Sequence, residues 1–446
     1  MRLRLALAAE CALLLAASAF GEFTQSAYAA RCVALLFGAG VCFLLALRWR
    51  GPGAAPARSA TLPHGLALPD EAAPPKPRRG VSAGTFWGAA IALRLAMLGC
   101  EPGDDTWRYI WEGRVQLHGF NPYQLRPDAP VLLPLRDPTW PKINHPEWPA
   151  IYPPAAELIF AGIAAISPTV LAFKLFFIAA DLATLWILVQ LCVGGRHDAA
   201  WYAWNPAVIY AFAGGAHYDS LLLLSMSAGL WVLVRAGRKP GFTWSESLAS
   251  AGMLGMAISI KVVPIFLVPA WICALKKKSA ALLLTAAIPL LLALPYGGPT
   301  TVLENLRSFA DVARFNDLIW WLFEPLTVHI PYDRNWPFTL VLGLAVLGAV
   351  YRFRHDWARG MFWSMGLTLA LSPILHPWYV TWILPLACWR QVPAWSILSI
   401  SVLGALLLWE TTRFWTMQEP NLFTHSIVLL PALIAWGRTH RLTAIP

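Results

Sequence analysis

The chain has 446 residues, 58% of them hydrophobic and only 13% charged, with a mean hydropathy of +0.55, which excludes an ordinary soluble domain. Apolar stretches recur along nearly the whole length and suit helices rather than the short alternating strands of an outer-membrane barrel, so the predicted class is an all-α polytopic membrane protein with about 13 to 14 crossings. The net charge of +10 does not point to nucleic acid, because Lys and Arg concentrate in loops that the positive-inside rule assigns to the cytoplasm, while Asp and Glu gather in the opposite loops.

Residues 1–47 read as a transmembrane hairpin. Its first helix, in MRLRLALAAECALLLAASAF, is taken as uncleaved rather than as a signal peptide, and its second ends in RWR, which puts both ends inside. Residues 48–80 are rich in Pro, Ala and Gly and basic at both ends, the composition of a cytoplasmic linker without a core. A third helix over 81–99 runs outward and delivers EPGDDTWRYIWEGRV to the external face, opening an outer segment over 100–169. Within it lies an apolar run of about 14 residues, too short to cross comfortably, which is expected at the interface with its Trp and Tyr neighbours at headgroup level. Helices over 170–193 (inward to Arg196), over 199–214 (outward to GGAHYD) and next inward to RAGRK follow.

The stretch SLASAGMLGMAISIKVVPIFLVPAWICAL is flanked by basic residues at both ends, so it reads as two short crossings that meet at Lys261. The remainder alternates through an outer NLRSFADVARFND, an inner YRFRHDWAR, an outer SPILHPWY and an inner WRQ to a last hairpin, with both termini inside. The predicted division is a hairpin (1–47), a linker (48–80), a catalytic transmembrane core (81–275) and a C-terminal transmembrane region (276–446). Seven cysteines, scattered mostly within or beside apolar segments, imply no disulfide framework.

Asp104 and Asp105 follow Pro102 and Gly103, a favourable place for a helix N-cap. One acid suffices for a cap, however, and Arg108 and Glu112 lie at helical spacing, so charge clusters on one face beside an aromatic belt. A carboxylate there can serve as a general base on a hydroxyl. His217 and Asp219 fall in the short outer turn GGAHYDS, and His145 and His376 are also predicted outside. A divalent metal is left open, but no two-ligand helical spacing supports one, and capping and interfacial roles are preferred. Arg307 and Arg314, seven apart, are predicted to share a helix face. Arg94 and Asp181 lie inside helices and read as buried structural ion-pair partners. The aromatics of NPY, IYPP (with Tyr152) and HPWY read as turns and interface anchors first and sugar-stacking groups second. There is no glycine-rich phosphate loop, and no soluble nucleotide-sugar domain is legible.

The motifs DTWRYIWEGRVQLHGFNPY, IYPPAAELIF, FKLFFIAADLATLWILV, WNPAVIYAFAGGAHYDS and ISIKVVP occur in this order. Together they resemble the lipid-linked mannosyltransferases of the C-type glycosyltransferase superfamily, both the bacterial polyprenyl-phosphate-mannose enzymes and the enzyme that adds the first GPI mannose. The resemblance covers Asp104 to Pro264 and, more weakly, SPILHPWYVTWILPL. It implies an inverting transfer of a hexose, mannose above others, from a polyprenyl-phosphate donor to a lipid-linked or glycan acceptor on the outer face of a bacterial cytoplasmic membrane, in contact with membrane lipids and with no nucleic acid partner. Asp105 matches the second aspartate of the family's Asp-x-Asp pattern. Gly103 stands at the other position, so the choice of base between Asp105 and Asp104, and any bridged metal, stay open. Lys261 matches the Lys-x-x-Pro signature and, with Arg108 and Arg314, is expected at the donor phosphate, while Asp219, His217, His376 and Tyr152 are expected near acceptor or sugar. A transporter or flippase of a lipid-linked sugar is the alternative, and it predicts charged groups near the bilayer midplane.

Overall fold

The computed structural model describes residues 1–20, 26–51, 59–61, 67–69, 80–237, 242–331, 333–408 and 422–443. Most of the expected linker, the end of RAGRK and the joint of the last hairpin lie outside the described residues. The helices are α1 (Arg2–Ala17), α2 (Ser26–Trp49), α3 (Ala83–Met97), α4 (Asp104–Leu117), α5 (Pro154–Ile166), α6 (Val170–Leu191), α7 (Arg196–Ala203), α8 (Pro206–Ile209), α9 (Asp219–Gly237) and α10 (Trp244–Ile260). They continue as α11 (Val268–Ala274), α12 (Lys278–Ala293), α13 (Pro299–Val312), α14 (Glu324–Thr327), α15 (Trp336–Arg352), α16 (Trp357–Leu371), α17 (Leu384–Arg390), α18 (Pro393–Ser401) and α19 (Leu422–Thr443). A three-residue antiparallel ladder, Ser59–Thr61 (β1) against Ala67–Pro69 (β2), sits in the linker with Ala60 opposite Leu68. The chain is an all-α polytopic membrane protein.

Four described segments are long and apolar enough to cross a bilayer as single helices: Ala29–Trp49, Val170–Leu191, Asp219–Gly237 and Lys278–Tyr296. Other apolar helices are shorter because the sequence interrupts them. The predicted helix over 199–214 is broken at Asn205–Pro206. Pro206 has no N–H to extend α7, and the Asn205 side chain accepts from Ala207 N and starts α8 instead. At Lys261 the backbone turns extended, ending α10, and a 3₁₀ turn over Val263–Leu267 precedes α11.

The chain forms two compact units. The first comprises Met1–Pro102, Leu182–Gly215 and Leu375–Pro446. Here α1 packs on α2 and α3, and α18 reaches α2 where Gly40 leaves no room for a side chain against Ile400. Polar ties inside this unit include Arg94 Nη1 donating to the Ala203 carbonyl at 2.9 Å and Asn205 Nδ2 donating to Ser399 Oγ at 2.9 Å. The second unit comprises Gly103–Asp181 and Ala216–Ile374. In it α4 packs on α5, α10 on α9 and α12, and α16 on α11 and α15.

The α4–α5 contact sets the platform of the second unit. A Cβ at Gly113 would stand 2.6 Å from the Phe160 carbonyl oxygen, so only glycine allows this approach. One turn earlier, Tyr109 stacks on Phe160 with ring centroids 4.6 Å apart and meets Tyr152, Phe177 and Tyr218 edge-on. These rings form a rigid apolar floor of the kind that offset and T-shaped aromatic pairs favour.

Candidate functional site

Helix α4 begins at Asp104, after an extended Gly103 that offers no side-chain cap. This corrects the capping expectation: neither aspartate is the N-cap, because Gly103 takes that backbone position and both acids fall in the first turn. There the N–H groups of the first turn and the helix dipole stabilise negative charge. Asp104 is buried and accepts the Asp105 backbone N–H at 2.9 Å, whereas the Asp105 side chain keeps a quarter of its surface exposed.

Two donors orient Asp105. Asn144 Nδ2 donates to its Oδ1 at 2.8 Å, and the Tyr152 hydroxyl donates to the same oxygen at 3.1 Å. Burial pushes the Tyr152 phenol far above its ordinary range, and the Asp105 charge adds to this, so Tyr152 stays a donor. The other oxygen, Oδ2, faces His217 Nδ1 at 3.9 Å, an electrostatic neighbour beyond hydrogen-bond reach. His217 follows Ala216, whose left-handed backbone (φ 57) turns the chain sharply into α9, with the Ala216 carbonyl accepting from Thr106 Oγ1.

Lys261 and Asp219 form the second feature. Asp219 opens α9 and is fully buried, and Lys261 Nζ lies 2.7 Å from its Oδ1 and 4.9 Å from the Tyr218 ring centroid. The extended backbone at the end of α10 is what turns this lysine towards α9 rather than continuing a helical face. Tyr218 packs on Tyr152 at 5.5 Å, so the lysine–aspartate pair and Asp105 share one aromatic wall.

Of the sequence-predicted residues, Asp104, Asp105, Tyr152, His217, Asp219 and Lys261 therefore belong to one constellation in the second unit. Arg108 lies beneath it, 3% exposed, with Nε on Glu112 and Nη1 and Nη2 on the carbonyls of Asn144, His145 and Trp148. The geometry gives it a different task from the phosphate contact that its position suggested. Arg314 donates to the Asn335 side chain at 2.6 Å and to the carbonyls of Ile330 and Pro331. It does not share a helix face with Arg307, because α13 ends at Val312 where the chain leaves to bridge Phe315 with Ile374. His376 belongs to the first unit, stacked on Trp378 at 4.5 Å. His145 sits in the turn above Arg108, and burial holds its imidazole below the ordinary value despite the Glu147 carboxylate at 3.2 Å, so it is neutral at pH 7. Among the described residues no group of three or more His, Cys, Asp or Glu is placed to hold a metal.

Two residues in this network escaped the sequence reading. Asn144 lies 39 positions from Asp105, and no local spacing connects them. Glu157, on α5, is buried beneath Glu112 within an otherwise apolar run, and only its charge in that run set it apart.

Comparison with known proteins gives the lineage of this constellation. A family model described as "Alpha-(1->6)-mannopyranosyltransferase, N-terminal domain" matches residues 5–277. The chain is 24% identical over 342 residues to alpha-(1->6)-mannopyranosyltransferase A of Mycobacterium tuberculosis, an alignment that takes in 68% of this chain and 63% of that protein. The chain thus spans somewhat less than two thirds of that relative's length. No solved structure matches the chain. The family match runs over more than half of the 446 residues and contains Asp104, Asp105, Tyr152, His217, Asp219 and Lys261, and on it the chain belongs to the alpha-(1->6)-mannopyranosyltransferase family.

Proposed function

We propose that this protein is an inverting mannosyltransferase of a bacterial cytoplasmic membrane, acting on the outer face, with a polyprenyl-phosphate mannose as donor and a glycan or lipid-linked glycan as acceptor. The observation that carries this reading is the setting of Asp105: a carboxylate with two donors on Oδ1 and a quarter of its side-chain surface exposed. A base needs that combination of fixed direction and access. Family membership and the name of the mycobacterial relative support mannose and an α-(1→6) linkage.

In the reaction the acceptor hydroxyl oxygen attacks the anomeric carbon on the face opposite the phosphate. Its proton passes to Asp105 as the new C–O bond forms. The bond from the anomeric carbon to the phosphate oxygen breaks, and its electron pair leaves with the polyprenyl phosphate. That leaving group is already a stable anion, so it needs a cation rather than an acid, and Lys261 is the side chain assigned to it. Asp219 fixes the lysine in place. Asp104, buried and bonded within the first turn, is assigned to shaping the helix start.

The test supplies purified protein in lipid vesicles with radiolabelled polyprenyl-phosphate mannose and a mixed glycan acceptor pool. Wild type should transfer mannose, Asp105→Asn should lower kcat by roughly 100-fold to 10,000-fold, the span of general-base contributions, and Asp104→Asn should retain most activity. Full activity in Asp105→Asn would overturn the base assignment. Movement of the labelled lipid across the bilayer with no transfer would overturn the enzyme reading in favour of transport.

A further inference from the structure

Beneath Asp105, α4 carries Arg108 and Glu112 one turn apart, and α5 brings Glu157 against them. Arg108 Nε lies 2.6 Å from Glu112 Oε1, with both side chains buried. The rest of the guanidinium donates to three backbone carbonyls of one loop, those of Asn144 at 3.1 Å, His145 at 2.7 Å and Trp148 at 2.5 Å. This is the loop whose Asn144 side chain holds Asp105. Its backbone needs holding, because His145 has φ 41, a left-handed conformation that a non-glycine residue adopts only under strain.

The acids below Arg108 pose a counting problem. Glu157 is fully buried; its Oε2 accepts from Gln116 Nε2 at 2.8 Å, and Gln116 Oε1 accepts from the Tyr296 hydroxyl at 2.7 Å. Glu157 Oε1 and Glu112 Oε2 are buried, and among the described residues no N–H or O–H donates to either. Gln116 Nε2, which also donates to the Glu112 carbonyl at 3.1 Å, sets the Glu157 carboxyl beside Glu112 where α5 packs on α4. Two carboxylates only accept, so they cannot bond each other, and two buried negative charges against one guanidinium leave one uncompensated at a cost of several kcal/mol. A single proton resolves both problems.

We propose that Glu157 and Glu112 share one proton, with Glu157 as the neutral acid donating to the Glu112 carboxylate, and that this pair is the positioning device that fixes Arg108 and, through the 144–148 loop, the direction of Asp105. Among the described residues, the ionisable groups near the pair are Arg108 from α4, Tyr296 from the turn after α12, and Tyr123 and Tyr152 from the outer segment. Arg108 is the one cation in that set, so the cluster closes as one cation, one anion and one neutral acid. Glu112 and Glu157 are positioning residues that touch neither donor nor acceptor, and the catalytic part of the inference rests on the reading of Asp105 as base.

The test uses Glu157→Gln and Glu157→Ala in the full chain. Glutamine supplies an N–H where the neutral acid has its O–H and keeps an oxygen for Gln116. Glu157→Gln is therefore expected to hold kcat within about 3-fold of wild type, whereas Glu157→Ala, which loses the bond, should drop kcat by about 10-fold to 100-fold at little changed donor KM. Infrared difference spectra of wild type against Glu157→Gln at pH 7 should show the loss of one protonated-carboxyl C=O band, a readout independent of turnover and of whether the alanine variant folds. The absence of that band, or a Glu157→Gln kcat as low as that of Glu157→Ala, overturns the shared proton. Full activity in Asp105→Asn with the band present overturns the base assignment alone and leaves the acid pair standing.

Discussion

Lys261 Nζ stands 2.7 Å from Asp219 Oδ1, joining the last turn of α10 to the first turn of α9 through a carboxylate with no exposed surface. Because the acid is buried, removing the lysine has two separable effects. Lys261→Met should abolish transfer and also lower stability by about 3–5 kcal/mol, the penalty for leaving one buried charge without its counter-ion. Lys261→Met combined with Asp219→Asn should recover most of the lost stability and none of the activity. Thermal unfolding in detergent beside the transfer assay distinguishes the two, and equal stability of the single and double variants would refute the buried-pair account.

Tyr152 donates to Asp105 but carries no charge itself. Tyr152→Phe should keep the aromatic floor intact, since the ring still meets Tyr109 and Phe160, and should lower kcat by about 10-fold through loss of one orienting hydrogen bond to Asp105. Steady-state kinetics should place the change in kcat rather than in donor KM.

Arg114 and Asp137 tie a second stretch of the outer segment to α4. Asp137 also accepts from Thr139 N at 2.8 Å and Oγ1 at 2.6 Å. Burial alone would raise the Asp137 carboxyl, but the Thr139 hydrogen bonds and the Arg114 charge outweigh it and leave it below its ordinary value. A carboxyl depressed in the folded state contributes stability that is complete above its unfolded value, about 3.9, and lost as pH falls through the lower folded value. The protection of residues 130–142 against hydrogen exchange, taken relative to the intrinsic rate at each pH, should therefore fall on acidification in wild type and show no such dependence in Asp137→Asn.

Gly113 is the most stringent position in the α4–α5 contact. Gly113→Ala would drive a methyl group against the Phe160 carbonyl oxygen and should cost about 1–3 kcal/mol, the usual range for overpacking. The drop should be visible in the melting temperature and accompanied by lower activity, because α4 carries Asp105 and α5 follows directly on Tyr152. An unaltered melting temperature would mean that the helices part freely there.

Membrane character, the helical class and the break at Lys261 could be read from the sequence because each depends on local signals: hydropathy, charge at segment ends and an interrupted apolar run. The aspartate pair stood out for the same reason, as charge where lipid-facing sequence leaves no room for it. What could not be read was set by contacts distant in sequence. Arg108 looked like a phosphate ligand because nothing in its neighbourhood shows that carbonyls 36 to 40 residues ahead will occupy it. Arg314 looked helical because the pairing of Phe315 with Ile374, which ends α13, is invisible from residues 299–314. Asn144 and Glu157 were missed because a single amide or acid carries no periodic signal, and their meaning comes from the loop and helix they meet.

The two units interleave along the chain, passing from one to the other at residues 102, 181, 215 and 374. Neither can be completed in the order in which the ribosome delivers it. The second unit, with Asp105 already inserted, waits for α12 to α16, and the first waits for everything after Leu375. The family match ends at residue 277, before α12 has packed on α10. A protein truncated there would hold the acids and Lys261 yet lack the helix that covers Gly255, where a Cβ would sit 2.8 Å from the Thr285 carbonyl. Translation of the last third of the chain is thus the step at which the earlier-made acids and Lys261 acquire the packing around them.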